Sequence, residues 1–308
     1  MKNNIRILLI SFCTLCTFAN AQDSKIDLNS HLSGSVGLIS FMDKSQPGIM
    51  STGTGTLILK AVDSVSGYLY LITNEHVLPK FAQNDSIVFR IRNFSTRSKS
   101  FFEFKIGIFD SKGKYLDYVK VGKNGVDVAA INLSGIIRQN VFDSVRTVPF
   151  YWLATKDRVS KSAANIGGEV FYIGYPTVLY DSRNINPILR AGHISTVPSE
   201  DFYFNLDYRG NVFQKYKVLI PEKFDGFLID GNVLHGSSGS LVFFNAWREV
   251  AFVDNKGAIS TNILETRRIM ILGILSNSYF DLGDGPKANI GGVISAEYII
   301  EIINEFAH

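Results

Sequence analysis

What most constrains the fold of this chain is a long succession of short β-forming runs broken by glycines and tight turns. Residues 56–60 and 68–73 are rich in β-branched, aromatic and aliphatic side chains, and Asp63-Ser64-Val65-Ser66-Gly67 between them reads as a hairpin turn. Further strands are expected over 87–92, 101–108, 115–121 and 126–132. The pattern resumes at 169–173, 189–195, 218–220, 241–244, 249–253 and 270–276. Helical patterns do not alternate with these runs, so barrels or sandwiches are favoured over β/α units. One helix is expected at the C-terminus, where Ser295 can cap, Glu297 suits the positive helix end, and Ile299, Ile300, Ile303 and Phe306 form an apolar stripe.

The 308 residues leave room for two domains, with residues 151–165 as the candidate connection. Lys2 and Arg6, an apolar run from Ile7 to Phe18, and Ala19-Asn20-Ala21 together read as a secretory signal cleaved after Ala21. The expected location is therefore secreted or periplasmic. Both cysteines, Cys13 and Cys16, lie in that leader, so the mature chain would have no disulfide, thiolate nucleophile or cysteine zinc site. Net charge is only +3, and losing Lys2 and Arg6 brings it closer to neutral. That excludes an electrostatic case for nucleic acid, and nothing after the leader is apolar enough to insert into a membrane. No His-x-x-x-His pair and no Gly-Lys-Ser/Thr loop occurs, and Gly53-Thr54-Gly55 lacks the third glycine and βαβ setting of a dinucleotide site. No metal or other cofactor is expected, and the oligomeric state is open.

Chemistry concentrates in three segments. Leu234-His235-Gly236-Ser237-Ser238-Gly239-Ser240 places a serine on a turn of small residues. There the N–H groups of Gly236 and Ser238 can converge on an oxyanion while the Ser238 hydroxyl attacks a carbonyl. Thr73-Asn74-Glu75-His76-Val77 offers a base, and Asp127-Val128-Ala129-Ala130-Ile131 a carboxylate at the head of an apolar strand. Asp117, in Asp-Tyr-Val-Lys-Val, is a rival to Asp127. A serine hydroxyl needs such a base, and the base needs a group to fix its tautomer. An α/β-hydrolase elbow does not fit, because position 240 is Ser rather than Gly and only His308 follows Ser238.

Taken in order, these segments resemble the chymotrypsin/trypsin-like serine proteases, in particular the bacterial Deg/HtrA-like branch without a PDZ domain. Gly53-Thr54-Gly55-Thr56-Leu57-Ile58, Leu272-Gly273-Ile274-Leu275-Ser276 and Gly291-Gly292-Val293 extend the likeness over residues 34–306. The resemblance implies an all-β fold of two antiparallel β-barrels with a short C-terminal helix. Residues 22–155 would carry His76 and Asp127, and residues 156–308 the nucleophile Ser238. It implies an exported serine endopeptidase that cuts protein or peptide substrates through an acyl-enzyme. Ser276 would support Asp127, and Asn232 and Gly292 would shape the specificity pocket, with Asp230 as an alternative floor. His235 would border substrate. Trypsin-type zymogens carry Asp before the nucleophile, whereas this chain has the uncharged Ser237. A catalytically silent binding protein on the same fold is the first alternative, and an unrelated all-β adhesin or glycan-binding domain the second.

Overall fold

The computed structural model describes residues 28–42, 50–64, 66–80, 85–93, 101–137, 144–176, 179–204, 223–253, 259–279 and 289–306. The expected leader with its two cysteines, the expected strand at 218–220 and His308 lie outside them. In chain order, a short helix α1 (Leu28–Ser33) leads into β1 (Val36–Met42), β2 (Met50–Ala61), β3 (Gly67–Thr73), β4 (Ser86–Arg92), β5 (Phe101–Gly107), β6 (Val119–Val121), β7 (Ala129–Asn132) and β8 (Val148–Pro149). After helix α2 (Lys156–Ser160) come β9 (Glu169–Gly174), β10 (Ile188–Ile194), β11 (Phe202–Tyr203), β12 (Lys223–Phe224), β13 (Gly226–Asp230), β14 (Leu241–Val253), β15 (Ile259–Tyr279), β16 (Ile290–Ser295) and the terminal helix α3 (Ala296–Asn304).

The first strands form a half-barrel in the order β5-β4-β1-β2-β3-β7-β6, with β8 alongside β2. The later ones close into a six-stranded antiparallel barrel, β10-β13-β16-β15-β14-β9. The chain thus has an all-β architecture with a short C-terminal helix, built from one closed barrel and one half-barrel where the resemblance implied two barrels. Strand β4 illustrates the local logic. Ile87, Phe89 and Ile91 alternate with polar or half-exposed neighbours, and the period of two turns all three inward.

A core of buried side chains joins the two sheets. Tyr70 and Ile72 from β3, Ile173 from β9, Ile274 from β15 and Ile294 from β16 share it with Ile299, Ile302 and Ile303 of α3. Burying each such aliphatic side chain stabilises the fold by about 1.5–3 kcal/mol, so this layer fixes one sheet against the other. Helix α3 starts at Ser295, whose hydroxyl accepts the Glu297 N–H, and lays its buried isoleucines across that seam.

Several strands differ from expectation for physical reasons. The strand expected over 115–121 is continuous only from Val119, because Tyr115 makes an isolated bridge to Phe109, stacking on it at 4.7 Å, and a turn follows. The strand expected from 126 begins at Ala129, since the Asp127 carbonyl is taken by the Asn74 side chain instead of a ladder partner. The runs 241–244 and 249–253 belong to one strand, β14, whose pairing with β15 shifts register between Ala246 and Arg248. Within the segment 151–165 the chain forms α2, capped by the Thr155 hydroxyl.

Candidate active site

Strand β3 ends at Thr73, and the chain at once makes a 3-10 turn over Glu75–Val77 that carries His76 to the surface. The turn is held from both sides. Val77 is buried and packs so closely on Gly53 that a Cβ at Gly53 would lie 2.4 Å from a Val77 methyl. Asn74 is fully buried and donates from Nδ2 to the Asp127 carbonyl at 2.8 Å, clasping the histidine segment to the aspartate segment.

Asp127 receives two bonds from His76. The backbone N–H reaches Oδ1 at 3.0 Å, and Nδ1 lies 2.7 Å from Oδ2. A carboxylate only accepts, so Nδ1 carries the hydrogen and Nε2 keeps its lone pair for another group. The Ser276 hydroxyl also donates to Oδ2, at 2.5 Å. Burial works to raise the Asp127 carboxyl, but the bonds and charge of His76 and the Ser276 hydroxyl outweigh it and hold it below the usual carboxylate range. Asp127 is thus the carboxylate on His76, whereas Asp117 sits exposed on a turn.

Ser238 lies on the turn between β13 and β14. Gly236 and Gly239 have φ of 82° and 83°, the left-handed region open to glycine at little cost. At Gly239 the constraint is double, since a Cβ would also sit 2.0 Å from the Thr54 carbonyl oxygen. The turn is pinned by Ser237 N–H to Leu234 at 3.0 Å, Gly239 N–H to Leu275 at 2.7 Å and Ser240 N–H to Ser237 at 2.9 Å. Among the described residues, no protein acceptor takes the N–H of Gly236 or Ser238. The Ser238 hydroxyl donates to the Ser276 carbonyl at 2.8 Å. Ser276, buried on β15, therefore touches both ends of the constellation, with its hydroxyl on Asp127 and its carbonyl on Ser238.

His76 and Ser238 open into one cavity of about 300 Å³, together with Gly236, His235, Phe41, Met50 and Val77. Strands β1 and β2 line one side of the cavity with Phe41, Met50, Ser51 and Thr52, and the Ser238 turn lines the other. Asn232 and Gly292 do not line it. Asn232 is exposed and accepts the Tyr172 hydroxyl on its carbonyl at 3.3 Å, while Gly292 is buried in β16 opposite Leu228. Asp230 is exposed at the end of β13, across from His193. His31 is tied instead to the Thr147 carbonyl at 3.1 Å, with burial lowering its pKa. Among the described residues no three His, Cys, Asp or Glu side chains cluster as metal ligands.

Sequence reasoning missed Asn74 and Thr54, both fully buried and both bonded to site segments. A signal for each exists. A polar side chain beside a strand end, or between two glycines that let other elements close in, must find partners inside.

No protein-family model and no curated protein matches this chain. Among solved structures it is similar to the Rv3671c protease of M. tuberculosis in its active form, at 17% identity and TM-score 0.45, over 99% of this chain and 93% of that one. It is also similar to a serine endoprotease from Yersinia pestis, at 14% identity and TM-score 0.46, over 93% of this chain and 67% of that one.

Proposed function

We propose that the chain is an exported serine endopeptidase in which Ser238 is the nucleophile, His76 the general base and acid, and Asp127 the group that orients His76. The observation that carries this reading is the Asp127 carboxylate, which accepts from His76 Nδ1 at 2.7 Å and from the Ser276 hydroxyl at 2.5 Å while Ser276 also holds Ser238. That arrangement leaves His76 Nε2 basic and aimed away from Asp127, as a proton acceptor must be.

The chemistry follows from these atoms. Rotation about the Ser238 Cα–Cβ bond takes its hydroxyl from the Ser276 carbonyl to His76 Nε2. The oxygen then bonds to the scissile carbonyl carbon as its proton passes to Nε2. Negative charge on the carbonyl oxygen is met by the N–H groups of Gly236 and Ser238, a contribution worth about 3–4 kcal/mol per donor in comparable sites. Collapse breaks the C–N bond, and Nε2 returns the proton to the leaving nitrogen. Water repeats the sequence on the acyl-serine, releasing the acid and restoring the Ser238 hydroxyl. The 300 Å³ cavity beside His76 offers room for substrate next to the reacting atoms.

Export rests on the leader of residues 1–21, which lies outside the described residues. No helix among the described residues is long and apolar enough to cross a membrane. A second reading, a silent binding protein on this fold, draws on the Ser238 hydroxyl being turned to the Ser276 carbonyl. Hydrolysis of a quenched-fluorescent peptide library by the mature chain and by Ser238→Ala separates the two readings. The protease reading expects cleavage that falls by about 10⁴-fold or more in the variant. Equal, background-level rates from both proteins would favour the binding protein.

A further inference from the structure

Thr54 occupies the point where three segments of the site meet. It lies on β2, fully buried, and each of its polar atoms is engaged. Its N–H donates to the Ser238 carbonyl at 2.8 Å, and its carbonyl accepts from the Thr73 hydroxyl at 2.7 Å, three residues before His76. Its hydroxyl accepts the Tyr175 N–H, just past the end of β9, at 2.9 Å and donates to the Gly236 carbonyl at 3.3 Å. One residue thus ties the histidine strand, the nucleophile turn and the second barrel together.

The turn depends on such an anchor. Ser237, beside the nucleophile, is buried and uncharged, so no ion pair fixes the backbone there. The Gly236 carbonyl is adjacent to the N–H that would stabilise an oxyanion, and glycine at φ 82° has unusual freedom to rotate. A hydrogen bond on that carbonyl limits rotation about the Gly236 backbone. Gly239 fits flush against the Thr54 carbonyl, and Gly174 against the Thr54 hydroxyl, where a Cβ would lie 2.7 Å away. The close packing leaves little room for another group to replace that hydroxyl.

We infer that Thr54 is a positioning residue whose hydroxyl holds the Gly236–Ser238 turn in its oxyanion-binding shape and in register with His76. This rests on the protease reading above. Thr54→Val removes both hydroxyl bonds while keeping the branched shape and the backbone N–H to Ser238. Thr54→Ser keeps the hydroxyl. With a peptide substrate, Thr54→Val should lower kcat by roughly 10- to 100-fold with KM within about threefold, as expected for a loss felt mainly in the transition state. Its pH–rate profile should keep the wild-type midpoint, and Thr54→Ser should recover to within about threefold of wild type.

Hydrogen–deuterium exchange of the peptide spanning residues 234–241 gives a readout that needs no activity. The Ser237, Gly239 and Ser240 amides should exchange faster in Thr54→Val than in wild type or Thr54→Ser, with no change across β4 and β5. A wild type that hydrolyses nothing but shows this exchange pattern would sink the protease reading and leave the anchoring role standing. Unchanged exchange and unchanged kcat in folded Thr54→Val would overturn the anchoring role, as would equal losses in Val and Ser variants. Thr54→Ala is the second variant should Val be too crowded. Failure of both to fold would make Thr54 a general stability residue and would also overturn it.

Discussion

Removing the Ser276 hydroxyl tests the electrostatics of the site on a single bond. In Ser276→Ala the backbone carbonyl that holds Ser238 remains, and only the 2.5 Å bond to Asp127 Oδ2 is lost. Ser276 is 3% exposed, so water does not readily take the missing donor's place. A hydrogen bond to a charged group contributes about 1.5–3 kcal/mol, and the two His76 bonds to Asp127 stay in place, so a loss near 2 kcal/mol is expected at neutral pH. For a chain of this size that corresponds to a fall in Tm of roughly 4–8 °C. The pH dependence has a definite sign. The folded Asp127 carboxyl sits below its ordinary value, so its contribution is present above the unfolded pKa of about 3.9 and fades as pH falls through the folded value. Without Ser276 the folded value moves up toward ordinary. The difference between variant and wild type should therefore be full at pH 7 and shrink below about pH 4. Urea unfolding at pH 7 and near pH 3 measures it. A difference under about 0.5 kcal/mol at pH 7, or one that is the same at both pH values, would refute the reasoning.

Other expectations follow from the same geometry. Asp127→Asn should slow hydrolysis by about 10⁴-fold, because the amide can present an N–H to His76 Nδ1 and favour the wrong tautomer; kcat measurements within tenfold of wild type would contradict it. Gly239→Ala should cost more than about 3 kcal/mol or prevent folding, since the new Cβ meets the Thr54 carbonyl at 2.0 Å and φ is 83°, and a near-native urea midpoint would argue against this turn. Ser295→Ala should cost about 1 kcal/mol through loss of the α3 cap while leaving kcat within about twofold, as thermal unfolding and kinetics can show.

Much of this was legible where local patterns carry meaning. Ile87, Phe89 and Ile91 alternate with more exposed neighbours, and a strand was expected over 87–92. The terminal helix announced itself through Ser295, Glu297 and its spaced isoleucines. Strand β1, Val-Gly-Leu-Ile-Ser-Phe-Met, escaped notice because its first five residues are buried on both faces and so show no alternation. Strand β13, Gly-Phe-Leu-Ile-Asp, is hidden for the same reason. At the site, ordered motifs singled out His76, Asp127, Ser238 and Ser276, which the structure gathers, but local spacing could not indicate which atoms meet. That the Ser276 carbonyl holds Ser238, that Asn74 clasps Asp127, and that Thr54 binds three segments are consequences of tertiary packing, across more than a hundred residues in the case of Thr54. Asn232 was expected from its offset before Ser238 and Gly292 from the Gly291-Gly292-Val293 segment, and neither signal says which residues line the cavity.

The central claim is that Ser238 is a nucleophile activated by His76. Incubation of the mature chain with a fluorophosphonate, followed by digestion and mass spectrometry, tests it at the level of one atom. The account predicts a single phosphonylated residue, Ser238, at a rate that falls by orders of magnitude in His76→Ala. Absence of label on Ser238 in folded protein, or a rate indifferent to His76→Ala, would contradict it.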